Sequence, residues 1–439
     1  MAVTAVVHPP GRSGVRWVIL TLLFVASFVA YVLRTNMSIA GDQMSADLGL
    51  SRLQLGIVLA AFAWGYAIFQ FPGGVVGDRI GGRKALTWIA IGWGALNLLI
   101  GFVPSGAGSG PMAALISLVV LRFMMGAVQA PLYPVTGGGT TCAWFPVSGW
   151  AFPNAISNAG LTVGSAATGP LIVWLIGSVG WRNSFIVTAP LGPLIAIIWW
   201  WYARDTPAEH PSVSQSELEL IDRDRPHPPT TADERGDWRE ALRNPQVRWL
   251  TAGYFCSNYL FYFFFNWLYI YLVDNRHFKA LESGWLNAAP WLVGAVGALA
   301  GGVWCDRLAK TRGIKVGARL PGAIGLLLAA ILIVAAALAQ NHYMAVVLLS
   351  LCLGFQQLTE GAFWAAAISV SGRHVSAACG VLNTGGNVVG GIGALMVPIL
   401  VERLGWPAAL ASASGFALLG ALIWLRIDAR PPETAAAVG

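Results

Sequence analysis

The segment Gly73–Arg79 reads GGVVGDR, and residues 301–307 read GGVWCDR. Five of the seven positions are identical, and the two copies lie 228 residues apart (301 minus 73). Each copy closes an apolar run and is followed by basic residues. A second echo, 225 residues apart (383 minus 158), pairs Asn158 with Asn383. Self-similarity at such a spacing indicates two halves with the same fold.

The composition is that of a membrane protein. Hydrophobic residues make up 56% of the chain, charged residues 11%, and the mean hydropathy is +0.64. Soluble domains carry about 25% charged residues. In a soluble protein, the net charge of +7 would suggest binding to nucleic acid. Here the basic residues lie in loops between apolar runs, without a stripe of interleaved aromatics, so we expect a lipid bilayer as partner and no nucleic acid.

Twelve apolar runs have about the 20 residues needed to span a membrane. They lie near residues 16–40, 53–76, 84–104, 112–140, 148–178, 183–203, 249–273, 284–304, 317–339, 343–370, 376–401 and 407–427. The pattern predicts an all-α membrane protein with twelve transmembrane helices in two pseudo-symmetric six-helix bundles, at 1–203 and 249–439. The polar segment 204–248 is predicted as a cytoplasmic linker with a short helix at Ser216–Asp224. The polar leader Met1–Gly14 is expected to precede a membrane helix and not to be a cleavable signal.

Orientation follows from the basic residues. Five of the 27 Lys and Arg residues fall in loops of one side, at Arg52, Arg182, Arg276, Lys279 and Arg403. Two more lie inside spans, which leaves 20 on the side of the termini and the linker (27 minus 5 minus 2). The positive-inside rule therefore places both termini in the cytoplasm. The expected location is a bacterial inner membrane.

The longer segment 73–84, GGVVGDRIGGRK, resembles the signature of the major facilitator superfamily between its second and third helices. An Asp at a helix end can cap neighbouring amides, and an Arg can donate to final carbonyls. The resemblance implies that these residues and their copy form a conformational latch. The latch candidates are Asp78, Arg79, Arg83, Asp306 and Arg307.

Two further segments carry a narrower resemblance. Residues 31–40 read YVLRTNMSIA, and residues 122–134 read RFMMGAVQAPLYP. They look like the first and fourth helices of the anion:cation symporter family, which includes bacterial sugar-acid carriers and sialin-like transporters. The resemblance implies a carrier that binds an organic anion between its halves and couples it to protons.

Arg34 and Arg122 are the two cations inside the spans. A charge at mid-membrane costs at least about 2.5–3.5 kcal/mol, so such residues usually line a pathway. The guanidinium fork can hold a carboxylate through two parallel hydrogen bonds. The pair therefore predicts an anionic substrate, and the family places substrate and gating arginines at these positions.

The acids that usually bind the proton in this family are absent, because Leu33 and Gln129 occupy their positions. Glu360 is the one acid that we place deep in a span. At an offset of 231 it falls opposite Gln129, although an offset of 228, pairing Gly126 with Gly354, is also compatible. Glu360 is therefore the proton-coupling candidate, with a structural, hydrogen-bonded role as the alternative.

The remaining substrate-binding candidates are polar or aromatic residues in the spans, which suit a polyhydroxylated acid. They are Tyr31, Tyr66, Gln129, Asn158, Tyr262, Trp364 and Asn383. Tyr31 lies one helical turn before Arg34. Tyr259, Tyr262 and Asn266 form a polar stripe on the seventh helix. For each of these residues, bonding between helices is the alternative role.

The sequence predicts a secondary active transporter for a small organic anion, a sugar acid such as a hexonate or hexuronate, with proton coupling. One alternative is a voltage-driven uniporter or exchanger of organic anions, aromatic anions included. Another is a membrane sensor that does not transport. The chain has no phosphate-binding loop, and its six His residues show no metal or nucleophile spacing. We therefore expect no enzyme activity, no metal and no cofactor, and a monomeric protein.

Overall fold

The computed structural model describes residues 13–104, 110–146, 151–223, 243–371 and 375–430. Within these ranges the chain forms helices and turns, without a strand. Most of the predicted leader lies outside the described residues, as do the linker residues 224–242.

Six helices form the first half of the chain. They are α1 (Val15–Leu48), α2 (Arg52–Ile80), α3 (Gly82–Gly101), α4 (Gly110–Gln129), α5 (Ala151–Thr188) and α6 (Leu191–Tyr202). The second half contains α7 (Pro245–Asp274), α8 (Ala280–Arg312), α9 (Ile314–Leu338), α10 in two pieces (His342–Leu358 and Glu360–Val370), α11 (Val375–Leu404) and α12 (Trp406–Trp424).

These helices provide twelve membrane crossings. Ten segments of the described chain are long and apolar enough to span by themselves. One of them, Ala159–Tyr202, contains two crossings, because Gly180 at φ 80° breaks α5. The 30 residues of α7 provide the twelfth crossing; they are less apolar because the helix is rich in tyrosine. The predicted all-α, twelve-helix fold is confirmed.

The end of α4 departs from the predicted span 112–140. Its α-helix stops at Gln129, and a π-helix covers Pro134–Thr141. Pro131 and Pro134 each lack an amide donor, and a proline ring clashes with the preceding helical turn. The crossing therefore continues past Gln129 without regular α-helical bonding.

The two halves pack their helices in the same pairs. In the first half α1 packs on α5, α2 on α4 and α3 on α6, and in the second α7 packs on α11, α8 on α10 and α9 on α12. Glycines allow the closest approaches, as is common between membrane helices. A Cβ on Gly126 would lie 2.1 Å from the Phe62 carbonyl oxygen, and one on Gly297 would lie 2.0 Å from that of Gly354.

The halves meet mainly through α2 against α11 and α5 against α8, with a smaller contact of α1 on α7. The first two contacts are equivalent under the repeat, since α2 corresponds to α8 and α5 to α11. This arrangement is the pseudo-symmetry that the repeated GGVxxDR segment predicted.

The described part of the linker attaches to the first half. Its helix spans Gln215–Asp222, against the predicted Ser216–Asp224, and the Ser214 side chain caps it. The Glu217 carboxylate accepts hydrogen bonds from the amides of Val15 and Arg16, both at 3.3 Å. An acid at a helix N-terminus is favourable, so this contact fixes the start of α1. We call the membrane face that carries the linker the linker side, and the opposite face the far side.

Candidate anion-binding site

Arg34 lies in the middle of α1 and is only 3% exposed. It donates to the hydroxyl of Tyr262 on α7 at 3.1 Å and more weakly to that of Tyr31 at 3.4 Å. Its Nε has no partner. The Arg34 guanidinium is therefore held by neutral groups and keeps an unused donor.

Aromatic rings surround this guanidinium. Its central carbon lies 4.6 Å from the ring centre of Phe265 and 4.7 Å from that of Phe62. The rings of Tyr31 and Tyr66 are both at 5.2 Å. Cation–π contacts of this kind partly replace lost hydration, but they leave the charge itself in place.

Arg122, on α4, is 2% exposed and has poorer partners. One of its terminal nitrogens faces the thioether sulfur of Met125 at 3.6 Å, and the other donates to the backbone oxygen of Arg34 at 3.3 Å. Its Nε also has no partner. A thioether is a weak acceptor, so most of the donor capacity of Arg122 is unused.

The Phe62 ring connects the two cations. Both guanidinium carbons lie 4.7 Å from its centre, so they are separated by at most twice that distance. Neither arginine has an ion pair with a described carboxylate. Two positive charges within that distance repel by on the order of 2 kcal/mol or more at an effective dielectric constant of about 20. A bound anion would remove this repulsion.

An inter-half bridge, made of Tyr262, Asn387 and Gln70, extends from Arg34. The Tyr262 hydroxyl donates to the Asn387 side-chain oxygen at 2.8 Å. The Asn387 amide donates to Gln70 of the first half at 3.3 Å, and to the side-chain oxygen of Asn383 at 3.1 Å. The bridge presents amide and hydroxyl groups beside the cation.

Glu360 forms a separate cluster in the second half. One of its carboxyl oxygens accepts from the Tyr254 hydroxyl and from the Trp364 indole nitrogen, each at 3.2 Å. Tyr254 lies eight residues before Tyr262 on α7, which corresponds to about 12 Å along the helix axis. Glu360 therefore sits nearer the linker side than Arg34 and makes no ion pair among the described residues.

The predicted site residues separate into groups. Tyr31, Tyr66 and Tyr262 surround Arg34, whereas Asn383 joins the group through Asn387. Trp364 belongs to the Glu360 cluster, because its indole nitrogen donates to the Glu360 carboxylate. Gln129 donates to the Ala30 carbonyl oxygen at 3.2 Å, which is a contact between helices. The side chain of Asn158 lies outside the described residues.

One sequence expectation needs adjustment. Tyr259 is not part of a common polar stripe with Tyr262, because its hydroxyl lies 3.0 Å from that of Ser412 on α12 and its ring stacks on Phe416. The Tyr259 side chain is therefore directed towards α12 and not towards Arg34. Leu33, which occupies one of the usual proton positions, is fully buried.

The latch candidates lie on the linker side. Arg83 donates to the Trp200 carbonyl oxygen at 2.6 and 3.0 Å, and its amide donates to Asp205 at 2.7 Å, so it holds α3 against α6 within one half. Arg79, Asp306 and Arg307 are exposed. The side chain of Asp78 lies outside the described residues.

Six residues at these two clusters were not predicted: Phe62, Gln70, Met125, Tyr254, Phe265 and Asn387. Helical spacing contained the signal for three of them, because Phe62 and Gln70 lie four residues on either side of Tyr66, and Asn387 lies four after Asn383. Residues four apart share a helix face.

The halves touch most closely on the far side. Arg52 at the start of α2 forms an ion pair with Asp274 at the end of α7. A Cβ on Gly169 of α5 would lie 2.4 Å from the Gly284 carbonyl oxygen of α8. Further polar bonds between the halves are those of Arg34 and the inter-half bridge, near the membrane centre. The far side of the site is therefore closed.

Comparisons with known proteins agree on the family. The Major Facilitator Superfamily profile matches residues 23–355. A probable galactarate/D-glucarate transporter of Bacillus subtilis is 31% identical over 413 residues, covering 90% of this chain and 87% of that protein. A probable sulfoacetate transporter of Cupriavidus necator is 30% identical over 396 residues, covering 90% and 89%. The D-galactonate transporter of Escherichia coli O6:H1 is 30% identical over 438 residues, covering 95% and 96%.

A solved structure shares the fold. It is a bacterial homolog to the human lysosomal transporter Spinster in an inward-facing and occupied conformation, with a TM-score of 0.76 and 17% identity, covering 95% of this chain and 97% of that one. The family profile spans most of this chain, and the relatives match it along nearly their whole length. The chain therefore belongs to the Major Facilitator Superfamily.

Proposed function

We propose that this transporter carries a small sugar-acid anion, of the size of a hexonate or hexuronate, through a site built on Arg34 and Arg122. The relatives are named for galactarate and D-glucarate, for D-galactonate and for sulfoacetate, all of which are small organic anions. Membership of the superfamily makes the protein a transporter and not an enzyme.

One observation carries the proposal: two buried arginines near the membrane centre have no described carboxylate partner. A buried charge without a counter-ion is expensive, and a substrate anion would supply that counter-ion each time the carrier loads. The hydroxyl and amide groups of the inter-half bridge would receive the hydroxyl groups of a sugar acid.

The proposed setting is a bacterial inner membrane, with the linker side in the cytoplasm. The 20 basic residues on that side, against five on the other, support this orientation. A far side that is closed then corresponds to an inward-facing state, the state named for the Spinster homolog. The protein would work as a monomer, exposing its site to each side in turn.

We further propose that Glu360 binds the coupling proton. A membrane potential opposes uptake of a monovalent anion by about 2.3 kcal/mol per 100 mV, so concentrative import needs a compensating cation. Glu360 is the acid that lies deepest in a described span, and it is half-buried and held through one carboxyl oxygen by Tyr254 and Trp364. A voltage-driven uniporter or exchanger, of sugar or aromatic anions, is the alternative and needs no proton.

The latch is proposed on the linker side, at Asp78, Arg79 and Arg83 and their copy at Asp306 and Arg307. In an inward-facing state the two copies would be apart, and the exposure of Arg79, Asp306 and Arg307 fits that state. Closing the linker side would bring the copies together. Asp78→Asn should then slow turnover more than it weakens binding.

The test is uptake by purified protein in proteoliposomes, with labelled D-galactonate, D-galacturonate, galactarate and benzoate and an imposed pH gradient. We expect saturable uptake of at least one sugar acid and none in empty vesicles. Binding without flux would favour the sensor, and uptake of benzoate alone would favour an aromatic-acid carrier.

A further inference from the structure

The arginine pair carries more positive charge than one carboxylate can neutralise. Arg34 and Arg122 are the buried cations of the described spans. The acid nearest to them along α7, the half-buried Glu360, bonds to Tyr254, about two helical turns from Tyr262. Glu360 bonds to Tyr254 and Trp364 and does not reach either guanidinium. With a monoanion bound, one buried charge would stay without a counter-ion.

Hydrogen-bonding capacity leads to the same conclusion. A guanidinium has five N–H donors. Arg34 spends two on phenol oxygens, and Arg122 spends two on a sulfur and one carbonyl oxygen. The Nε of each is buried and unpartnered. One carboxylate offers a bidentate pair of oxygens to one fork and cannot offer the same geometry to the second.

Resting on the proposed function, we infer that the substrate is a dianion: a sugar diacid with one carboxylate held by Arg34 and the other by Arg122. In an extended six-carbon diacid the carboxyl carbons are roughly 6 Å apart, from five C–C bonds of about 1.5 Å each. Both guanidinium carbons lie 4.7 Å from the Phe62 ring centre. The two cations are thus close enough to hold both ends of such a molecule around that ring.

Matched ligand pairs test the inference on the wild-type protein. Galactarate and D-galactonate differ only at C6, which is a carboxylate in the first and a CH₂OH group in the second, and D-glucarate and D-gluconate differ in the same way. Calorimetry in nanodiscs would give both affinities at neutral pH. We expect the diacid of at least one pair to bind about 10- to 100-fold more tightly, the effect of one additional charge-assisted bidentate contact.

The Arg122→Gln variant tests whether Arg122 binds the second carboxylate of the diacid. This variant should lower the affinity for the diacid and leave that for the monoacid nearly unchanged, so that the ratio falls towards one. Arg403→Gln, which removes an exposed cation at the far-side end of α11, is the matched control and should keep the wild-type ratio. Size-exclusion chromatography and a melting curve check that both variants fold.

The outcomes separate the two proposals. If wild-type protein binds the monoacids as tightly as the diacids, the dianion inference is wrong and the sugar-acid carrier stands. If no sugar acid of either pair binds or is transported, the proposed function itself is wrong. If the diacid preference survives in folded Arg122→Gln, Arg122 does not hold the second carboxylate and the assignment is overturned.

Discussion

The two halves of this transporter share a fold but carry ionisable groups of opposite sign in their spans. In the first half, α1 and α4 bring Arg34 and Arg122 near the membrane centre, whereas in the second half α10 brings Glu360 to a position nearer the linker side. The cations lie among aromatic rings, and the acid is held by a phenol and an indole. Packing is repeated between the halves, and the chemistry is divided between them.

The separation of the two sites determines how the bound anion and the bound proton would influence each other. No described bond joins Glu360 to either arginine, but α7 touches both sites, through Tyr262 at Arg34 and Tyr254 at Glu360. Movement of α7 and of the halves is therefore one route by which one ligand can affect the other, since ligands act by favouring one conformation.

Removing the fork of Arg34 should have the largest effect. Arg34→Lys keeps the charge but loses the planar donor pair, and two charge-assisted hydrogen bonds are worth about 3 kcal/mol or more. We expect diacid affinity to fall by about 100-fold or more, measured by calorimetry.

Arg319→Lys is the control for this variant. Arg319 donates to the Ile427 carbonyl oxygen, away from the site, so its replacement should leave binding unchanged. Near-normal affinity in folded Arg34→Lys would remove Arg34 from the substrate site.

Removing the ionisable group of the second half, Glu360, should abolish accumulation of substrate but leave the exchange of substrate across the membrane intact. Glu360→Gln keeps the shape of the side chain but cannot release a proton. On an inward proton gradient with the potential clamped at zero, we expect wild-type vesicles to accumulate substrate at least about tenfold, and the variant to equilibrate only. The clamp matters because a diacid moving with one proton still carries net charge.

Glu402→Gln changes an exposed acid at the far-side end of α11 and should behave as wild type. If wild-type flux ignores the proton gradient, or if Glu360→Gln accumulates normally, Glu360 has a structural role and the carrier is a uniporter or exchanger.

The fold could be predicted because each membrane-spanning helix requires a continuous run of apolar residues, which is visible in the local composition. Apolar runs and the repeated GGVxxDR segment gave twelve helices and two halves, and the two arginines stood out as charges in apolar runs. The partners of those arginines were harder to identify. Phe62 looks like any lipid-facing or core phenylalanine in the sequence, and its position between two cations depends on how α2 packs against α4.

The inter-half bridge shows the same limit. Asn387 and Gln70 are 317 residues apart, and their contact exists only in one arrangement of the halves. Helical spacing would have placed each on the face of a predicted neighbour, but it contains no information about what lies across the interface. The direction of Tyr259 towards Ser412 likewise depends on the packing of α12.

A more moderate effect is expected where α5 meets α8. Gly169→Ala would place a methyl group 2.4 Å from the Gly284 carbonyl oxygen, which is too close for a carbon and an oxygen that are not bonded to each other. Overpacking of this kind typically costs about 1–3 kcal/mol, and here it would fall on the far-side-closed state. We expect faster hydrogen–deuterium exchange at the far-side ends of α5 and α8, and turnover reduced by about tenfold.

Gly177→Ala is the matched control on the same helix, because a Cβ there meets nothing within 4 Å. It should leave exchange and turnover unchanged. Equal behaviour of the two alanine variants would mean that α5 and α8 do not separate during the cycle.

The smallest effect is expected at the far-side ion pair between Arg52 and Asp274. The Arg52 side chain is 33% exposed and that of Asp274 is 21% exposed, so solvent weakens their attraction. Exposed pairs contribute about 0.2–1 kcal/mol, which corresponds to about a 1.5- to 5-fold shift between conformations. Asp274→Asn should shift the protein by this amount towards the state that is open on the far side, because the pair joins the two halves only when that side is closed.

Asp47→Asn is the matched control for Asp274→Asn. Asp47 pairs with Arg182 at 3.6 Å on the same side, but within the first half, so its loss should not change the conformational balance. The measurement is the hydrogen–deuterium exchange rate at the start of α2 and the end of α7, at low salt and at about 1 M salt. Since salt screens exposed charges, the difference between Asp274→Asn and wild type should shrink at the higher concentration. An equal response of both variants would show that the effect comes from lost surface charge, and an unchanged rate in Asp274→Asn would show that helix packing alone closes the far side.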